Sequence, residues 1–338
     1  MIAPRHGAAL VFALSLALWL PSSASAADCD ARQSAGYRIL SLESGRKVAV
    51  WYPAAETERP LAYSHSTYGF MGSVAKDSPP LESCARVPLV LFSHGLGGCA
   101  LQSLFITEEL ARHGYVVAAP DHTDAACAIG SDDVKLGNIG TDNSFLTPAR
   151  WTDQSEIDRL HDLRAVIDLV ANDPQLARIV DVSHIGAVGH SLGGYTVIGM
   201  AGGWPAWKTP EIKAVLALSP YVEPFVTQGT LATLGVPVMY QGAQFDWGIT
   251  PSLEGKRGAY AASGSPKYFV KVNGGTHFEW TNLVCVGESS VAACLTDKPN
   301  ARLIDLYGIA FLDRYLKGKS APELDSKETE LNRYQLDP

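Results

Sequence analysis

Apolar residues in this chain fall into short continuous runs set between longer stretches in which they recur every three or four positions. The runs 87–92, 115–120, 213–218, 236–241 and 267–272 read as buried parallel strands, because a strand covered on both faces is apolar throughout rather than alternating. The spacing of Leu104, Ile106, Leu110 and Ala111 predicts a helix over 101–113, stopped by Gly114. Ile157, Leu160, Leu163, Ile167 and Val170 predict a second helix, opened by Asp153 with Glu156 three positions later as a capping pair. Leu303, Ile304, Tyr307, Phe311, Leu312 and Tyr315 predict a closing helix over 300–317. Residues 37–42 and 47–52, parted by Glu43-Ser44-Gly45-Arg46, read as a hairpin at a sheet edge. Residues 53–86 carry no assignable pattern. Residues 121–150 form a polar, glycine-containing insertion suited to a substrate-facing loop or lid or to a solvated excursion, and the charged tail 318–338 reads as peripheral. Strands alternating with helices predict an α/β fold with a mostly parallel central sheet and helices on both faces. No linker or repeat divides residues 27–338, which therefore read as a single domain.

Residues 1–26 read differently. Arg5, an apolar stretch over 8–20 and the small-x-small site Ala24-Ser25-Ala26 have the form of a cleaved export signal. The apolar stretch is shorter than the ~20 residues a membrane span needs, so no integral membrane segment is expected after cleavage. The expectation is an exported protein, periplasmic or secreted. All six cysteines lie beyond the cleavage site, and in an exported chain disulfides are the default. Proximity suggests Cys285 with Cys294, and loop considerations suggest Cys99 with Cys127 and Cys29 with Cys84. No C-x-x-C pair or suitably spaced histidine points to zinc, and no metal or organic cofactor is implied. A net charge of −8 with no basic run argues against a nucleic-acid partner.

Chemistry concentrates in Gly189-His190-Ser191-Leu192-Gly193-Gly194, which follows an apolar strand pattern and leads into a helix. A G-x-S-x-G segment between strand and helix is the form of a nucleophile elbow, where side chains at the flanking positions would block the close approach of strand and helix. A serine there needs a base, and the base needs an orienting acid. Asp246 and then His277 each follow a strand candidate, giving the order Ser191, Asp246, His277 of the α/β-hydrolases. Glu223 and Glu279 are alternative acids. The backbone N–H groups of Leu96, in the glycine-rich exit of the 87–92 strand, and of Leu192 are the candidate oxyanion donors. His94 and His190 read as packing or turn residues, and His65, His113, His122, His161 and His184 as surface or loop positions. Trp247 and Trp280, beside the acid and base, are candidate walls of an apolar acyl pocket.

Over about residues 40–317, the stretches Leu91-Phe92-Ser93-His94-Gly95-Leu96-Gly97-Gly98, Gly189-His190-Ser191-Leu192-Gly193-Gly194, Gly242-Ala243-Gln244-Phe245-Asp246 and Gly275-Thr276-His277-Phe278 resemble the bacterial predicted dienelactone hydrolase group. That group is related to the platelet-activating-factor acetylhydrolases and the cutinase-like polyester hydrolases. The resemblance implies a serine ester hydrolase with a Ser191, Asp246, His277 triad and oxyanion donors at Leu96 and Leu192. Two departures matter. The dienelactone hydrolases proper use a cysteine where this chain has Ser191. The acetylhydrolases carry their acid after the strand that follows the elbow, which here ends in Ser219-Pro220-Tyr221, so Asp246 follows a cutinase-like arrangement. The activity implied is hydrolysis of uncharged, fairly apolar esters, either small molecules (short-chain or lipid) or polymers. An amidase or acyltransferase using the same residues, or a non-catalytic binding module, are the alternatives.

Overall fold

Residues Val87–Ser93 form a strand whose alternate side chains part to opposite faces: Leu89 and Leu91 join one apolar core, Val90 and Phe92 another, and all four are fully buried. Each such side chain taken out of water contributes about 1.5–3 kcal/mol, and the period of two is what divides them between the faces. The computed structural model describes residue 1 and residues 32–63, 71–82, 86–127, 129 and 144–338.

The chain begins with β1 (Ser34–Ser41), β2 (Lys47–Ala54), β3 (Arg59–Ala62) and β4 (Met71–Lys76), then enters β5 (Val87–Ser93), α1 (Leu104–Arg112) and β6 (Val116–Pro120). It continues through α2 (Ile157–Asn172), β7 (Val180–His190), α3 (Leu192–Ile198), β8 (Ile212–Leu218), α4 (Glu223–Gln228) and β9 (Val238–Ala243). The last elements are α5 (Thr250–Glu254), α6 (Ala259–Ala262), β10 (Lys267–Val272), α7 (Val291–Asp297), α8 (Pro299–Lys317) and β11 (Leu331–Asp337). The strand order is β11-β10-β9-β8-β7-β5-β6-β2-β1-β4-β3. The six strands from β10 to β6 are parallel, with antiparallel partners at both ends of that block. Residues of α1 and α8 fill the core on one face, and those of α2 and α3 the core on the other. The loops after β5, β7, β8, β9 and β10 therefore leave the carboxyl edge of one sheet, where open α/β sheets hold their ligands.

Several expectations need correction. The unassigned stretch 53–86 contains β3 and β4, which extend the sheet beyond the β1–β2 hairpin. The tail is not wholly peripheral: β11 pairs antiparallel with β10 along its length, and its exposed polar residues are those of an edge strand. Asp153 and Glu156 do not cap α2. The helix starts at Ile157, and Glu156 before it is left-handed at φ 60° with no side-chain cap. Disulfides Cys99–Cys127 and Cys285–Cys294 are present. The Cys29–Cys84 pairing, His65, nearly all of segment 1–26 and half of the 121–150 insertion lie outside the described residues.

Candidate active site

Ser191 stands between β7 and α3 with φ 54° and ψ −116°, a left-handed backbone held by its neighbours. A Cβ on Gly189 would meet the Gly193 carbonyl oxygen at 2.2 Å, and one on Gly193 would meet the Ser93 carbonyl oxygen at 1.9 Å. The two glycines thus let helix, strand and the loop after β5 close around the serine. Its N–H donates to Leu218 O at 3.0 Å, and its carbonyl accepts from Tyr221 at 3.0 Å, fixing the turn against the end of β8.

Ser191 Oγ lies 2.9 Å from His277 Nε2. On the far side of the ring, Nδ1 faces Asp246 Oδ1 at 3.2 Å and Ser219 Oγ at 2.9 Å. Asp246 is buried, and its second oxygen accepts from Ser219 Oγ and, at 3.1 Å, from Thr250 Oγ1. Burial would push this carboxyl up, but the hydrogen bonds from His277, Ser219 and Thr250 hold it below its ordinary range, so it stays charged. The loops carrying Asp246 and His277 are also joined: Phe245 N–H donates to Gly275 O at 2.8 Å, and Gly274 N–H to Gln244 Oε1 at 2.9 Å. Ser219, itself left-handed at φ 42°, has no motif that marks it. Its one sequence signal is its position at the end of the strand that follows the elbow.

Beside this array, the loop after β5 turns at Gly97 with φ 63°. Leu96, just before it, lines the cavity, and neither its N–H nor that of Leu192 at the start of α3 has an acceptor among the described residues. Gly95 N–H donates to Gln102 Oε1 at 3.0 Å; the Gln102 amide nitrogen donates to His190 Nδ1 at 3.2 Å; and His190 Nε2 donates to His277 O at 2.9 Å. One hydrogen-bonded chain thus joins the loop after β5 to the loop bearing His277. Burial, helped by neighbouring His277, pushes His190 down to about 3 and keeps it neutral. His94 is likewise buried and neutral: its Nδ1 donates to Gly95 O at 2.7 Å, and its Nε2 accepts from His122 N–H at 3.0 Å. His122 is not a surface residue. It is buried, accepting from Ser93 Oγ at 2.9 Å and donating to Asp162 Oδ2 at 2.9 Å.

Ser191 and His277 open into a cavity of about 870 Å³. Its walls are largely apolar, with Leu96, Phe145, Leu146, Phe245, Ile249, Phe278 and Leu283. Trp247 lines it too, at 77% exposure on the rim. Trp280 does not line the cavity. It is 0% exposed, stacked 6.1 Å from His190 and donating from Nε1 to Gln241 Oε1 at 2.8 Å, so it packs behind His190 in the core. Glu223 lies on the cavity wall, bonded to Ser252 Oγ at 2.6 Å; Glu279 contacts Asn300 at 3.0 Å, and neither is bonded to His277.

The order of strands, the strained serine between strand and helix, and the cavity at the carboxyl edge of the sheet define an α/β-hydrolase. The family model for platelet-activating factor acetylhydrolase, isoform II, matches residues 57–138, the part that holds the loop after β5 and ends before Ser191. The chain is 24% identical over 310 residues to a platelet-activating factor acetylhydrolase of Cavia porcellus, covering 79% of this chain and 69% of the relative. It is 24% identical over 226 residues to cutinase 2 of Thermobifida cellulosilytica, covering 66% of this chain and 74% of that one. A ferulic acid esterase from Streptomyces cinnamoneus superposes with a TM-score of 0.64 at 22% identity, over 88% of this chain and 93% of its own, which establishes the fold. The chain is similar to α/β-hydrolase esterases, the platelet-activating factor acetylhydrolases and the cutinases among them, and its class is carboxylic ester hydrolase.

Proposed function

We propose that this chain is an exported serine esterase that cleaves uncharged, apolar esters through an acyl-enzyme. The observation that carries the reading is the 2.9 Å approach of Ser191 Oγ to His277 Nε2 at the opening of an apolar cavity. Ser191 Oγ attacks the ester carbonyl carbon while His277 Nε2 takes its proton, and the N–H groups of Leu96 and Leu192 receive the negative charge that forms on the carbonyl oxygen. The tetrahedral intermediate collapses, His277 protonates the departing alkoxide, and the acyl group remains on Ser191. Water activated by His277 then releases the acid and restores the serine. Charged Asp246 holds the imidazole in the tautomer whose Nε2 is free to accept and stabilises the cation that forms.

The walls support this substrate class. Leu96, Leu146, Phe245, Trp247 and Phe278 are exposed apolar side chains that converge on one mouth, where an extended acyl chain or the surface of an insoluble ester can lie. Export is supported by the signal-like segment 1–26 and by the two disulfides, which persist in oxidising compartments. A fluorophosphonate probe tests the mechanism. The wild type becomes labelled at Ser191, and Ser191→Ala and His277→Ala do not. A folded wild type that stays unlabelled would overturn the reading.

A further inference from the structure

Below the loop after β5 lies a buried ion pair with no part in proton transfer. Arg159, from α2, is fully buried, and its Nη2 lies 2.7 Å from each carboxylate oxygen of Asp124. Each member of the pair also holds the loop. Arg159 Nη1 donates to His94 O at 2.8 Å, Nη2 donates to Gly95 O at 3.4 Å, and Asp124 Oδ2 accepts from Gly97 N–H at 3.0 Å. With the Gln102 bond to Gly95 N–H, the backbone is tied on both sides of Leu96 while Leu96 N–H itself is left over.

We propose that the Asp124–Arg159 pair is a positioning device that holds the loop so that Leu96 N–H meets the carbonyl oxygen as it becomes charged. This rests on the serine-esterase reading. A loop of glycines has little stiffness of its own, and a donor must be fixed before charge develops if it is to lower the barrier. A buried carboxylate and guanidinium cannot rotate away to water without breaking their pairing, so they make a stiff frame for flexible backbone. Burial alone would raise the Asp124 carboxyl. Arg159 and the Gly97 N–H instead hold it at about 2, so the frame keeps its charge over the working range of an esterase.

Asp124→Asn keeps the side-chain volume and one acceptor, and Arg159→Lys keeps the charge without the fork. Both are compared with wild type and Ser191→Ala for kcat and KM on p-nitrophenyl butyrate, and for inhibition by an alkyl trifluoromethyl ketone, whose serine adduct carries an oxyanion. The expected result is kcat lower by about 10- to 100-fold with KM within about twofold, and ketone affinity reduced in parallel, because the cost falls on a misplaced oxyanion donor. A merely structural pair would instead lower the urea midpoint while leaving kcat and ketone affinity of the folded protein unchanged, and that result overturns the proposal. Amide exchange in the wild type decides the matter even where the variants do not fold: Gly97 N–H is protected and Leu96 N–H exchanges quickly, whereas fast exchange at both means there is no clamp. Retained turnover in Ser191→Ala would instead mark failure of the esterase reading itself.

Discussion

Ser219 Oγ stands 2.9 Å from His277 Nδ1 while donating its own proton to Asp246, so the acid and the imidazole share a hydroxyl as well as facing each other. Ser219→Ala removes a donor to the carboxylate and leaves the ring with Asp246 alone. Activity should fall by about 3- to 10-fold, the scale of one hydrogen bond. Because residue 219 already reaches the ring, the double variant Asp246→Asn/Ser219→Asp should regain activity that Asp246→Asn loses. Steady-state kinetics of the three variants check this, and a double variant as inactive as Asp246→Asn refutes it.

Asp246→Asn alone should reduce kcat by about 10²- to 10⁴-fold with a modest change in KM, because an amide stabilises neither the tautomer nor the cation. Glu223→Gln, which changes the cavity wall and not the array, should leave kcat for short esters within a few fold. The reverse ranking in a side-by-side assay would move the acid to Glu223.

Trp247 on the rim should matter in proportion to acyl length. Trp247→Ala should raise KM for esters of eight or more carbons by about 3- to 10-fold, through lost apolar contact, and leave butyrate esters nearly unchanged. Equal effects on both would remove it from the acyl path.

Of the two disulfides, Cys99–Cys127 closes a longer stretch, with a separation of 28 residues against 9 for Cys285–Cys294. In the chain-entropy account, removing the first costs about 1 kcal/mol more than removing the second. Denaturation of the two paired Cys→Ser variants measures the difference. Cys127 also lines the cavity, so loss of the first pair should depress activity as well as stability.

Glu108 gives a pH dependence with a definite sign. Burial pushes its carboxyl up to about 7, although Arg112, Tyr63 and the Ser73 N–H favour the charged form. A folded-state value above the unfolded one means that the stability Glu108 contributes is fully present below about pH 4.5 and is lost as pH rises through about 7. Wild type should therefore weaken relative to Glu108→Gln across that interval. Urea unfolding at the two ends of the interval reads it, and a constant difference between the proteins means that Glu108 is not perturbed.

The elbow, the order of the acid and base candidates and the parallel core strands were legible because each rests on local rules: glycine spacing, chain order and uninterrupted apolar runs. Ser219 was not, since a lone serine at a strand end has no pattern until the fold brings Asp246 and His277 beside it. Trp247 and Trp280 look equivalent as neighbours of motif residues, yet one has its back to the core and the other its face to solvent, a difference set by loop direction. The strand Leu331–Asp337 hid behind its polarity, as edge strands do. Arg159 and Asp124 lie 35 residues apart, and their pairing across α2 and the loop after β6 is a tertiary event with no periodic signature.

The bonds between Phe245 and Gly275 and between Gln244 and Gly274 fasten the loop bearing Asp246 to the loop bearing His277, while much of the cavity wall, including Phe145, Leu146 and Leu283, comes from elsewhere in the chain. Mutational tolerance should divide along that line. The tied pair of loops can be inherited or transplanted as one cassette, and the outlying walls can be exchanged against it without resetting the chemistry. A lineage built this way can change which esters it accepts by substitutions that Asp246 and His277 do not feel.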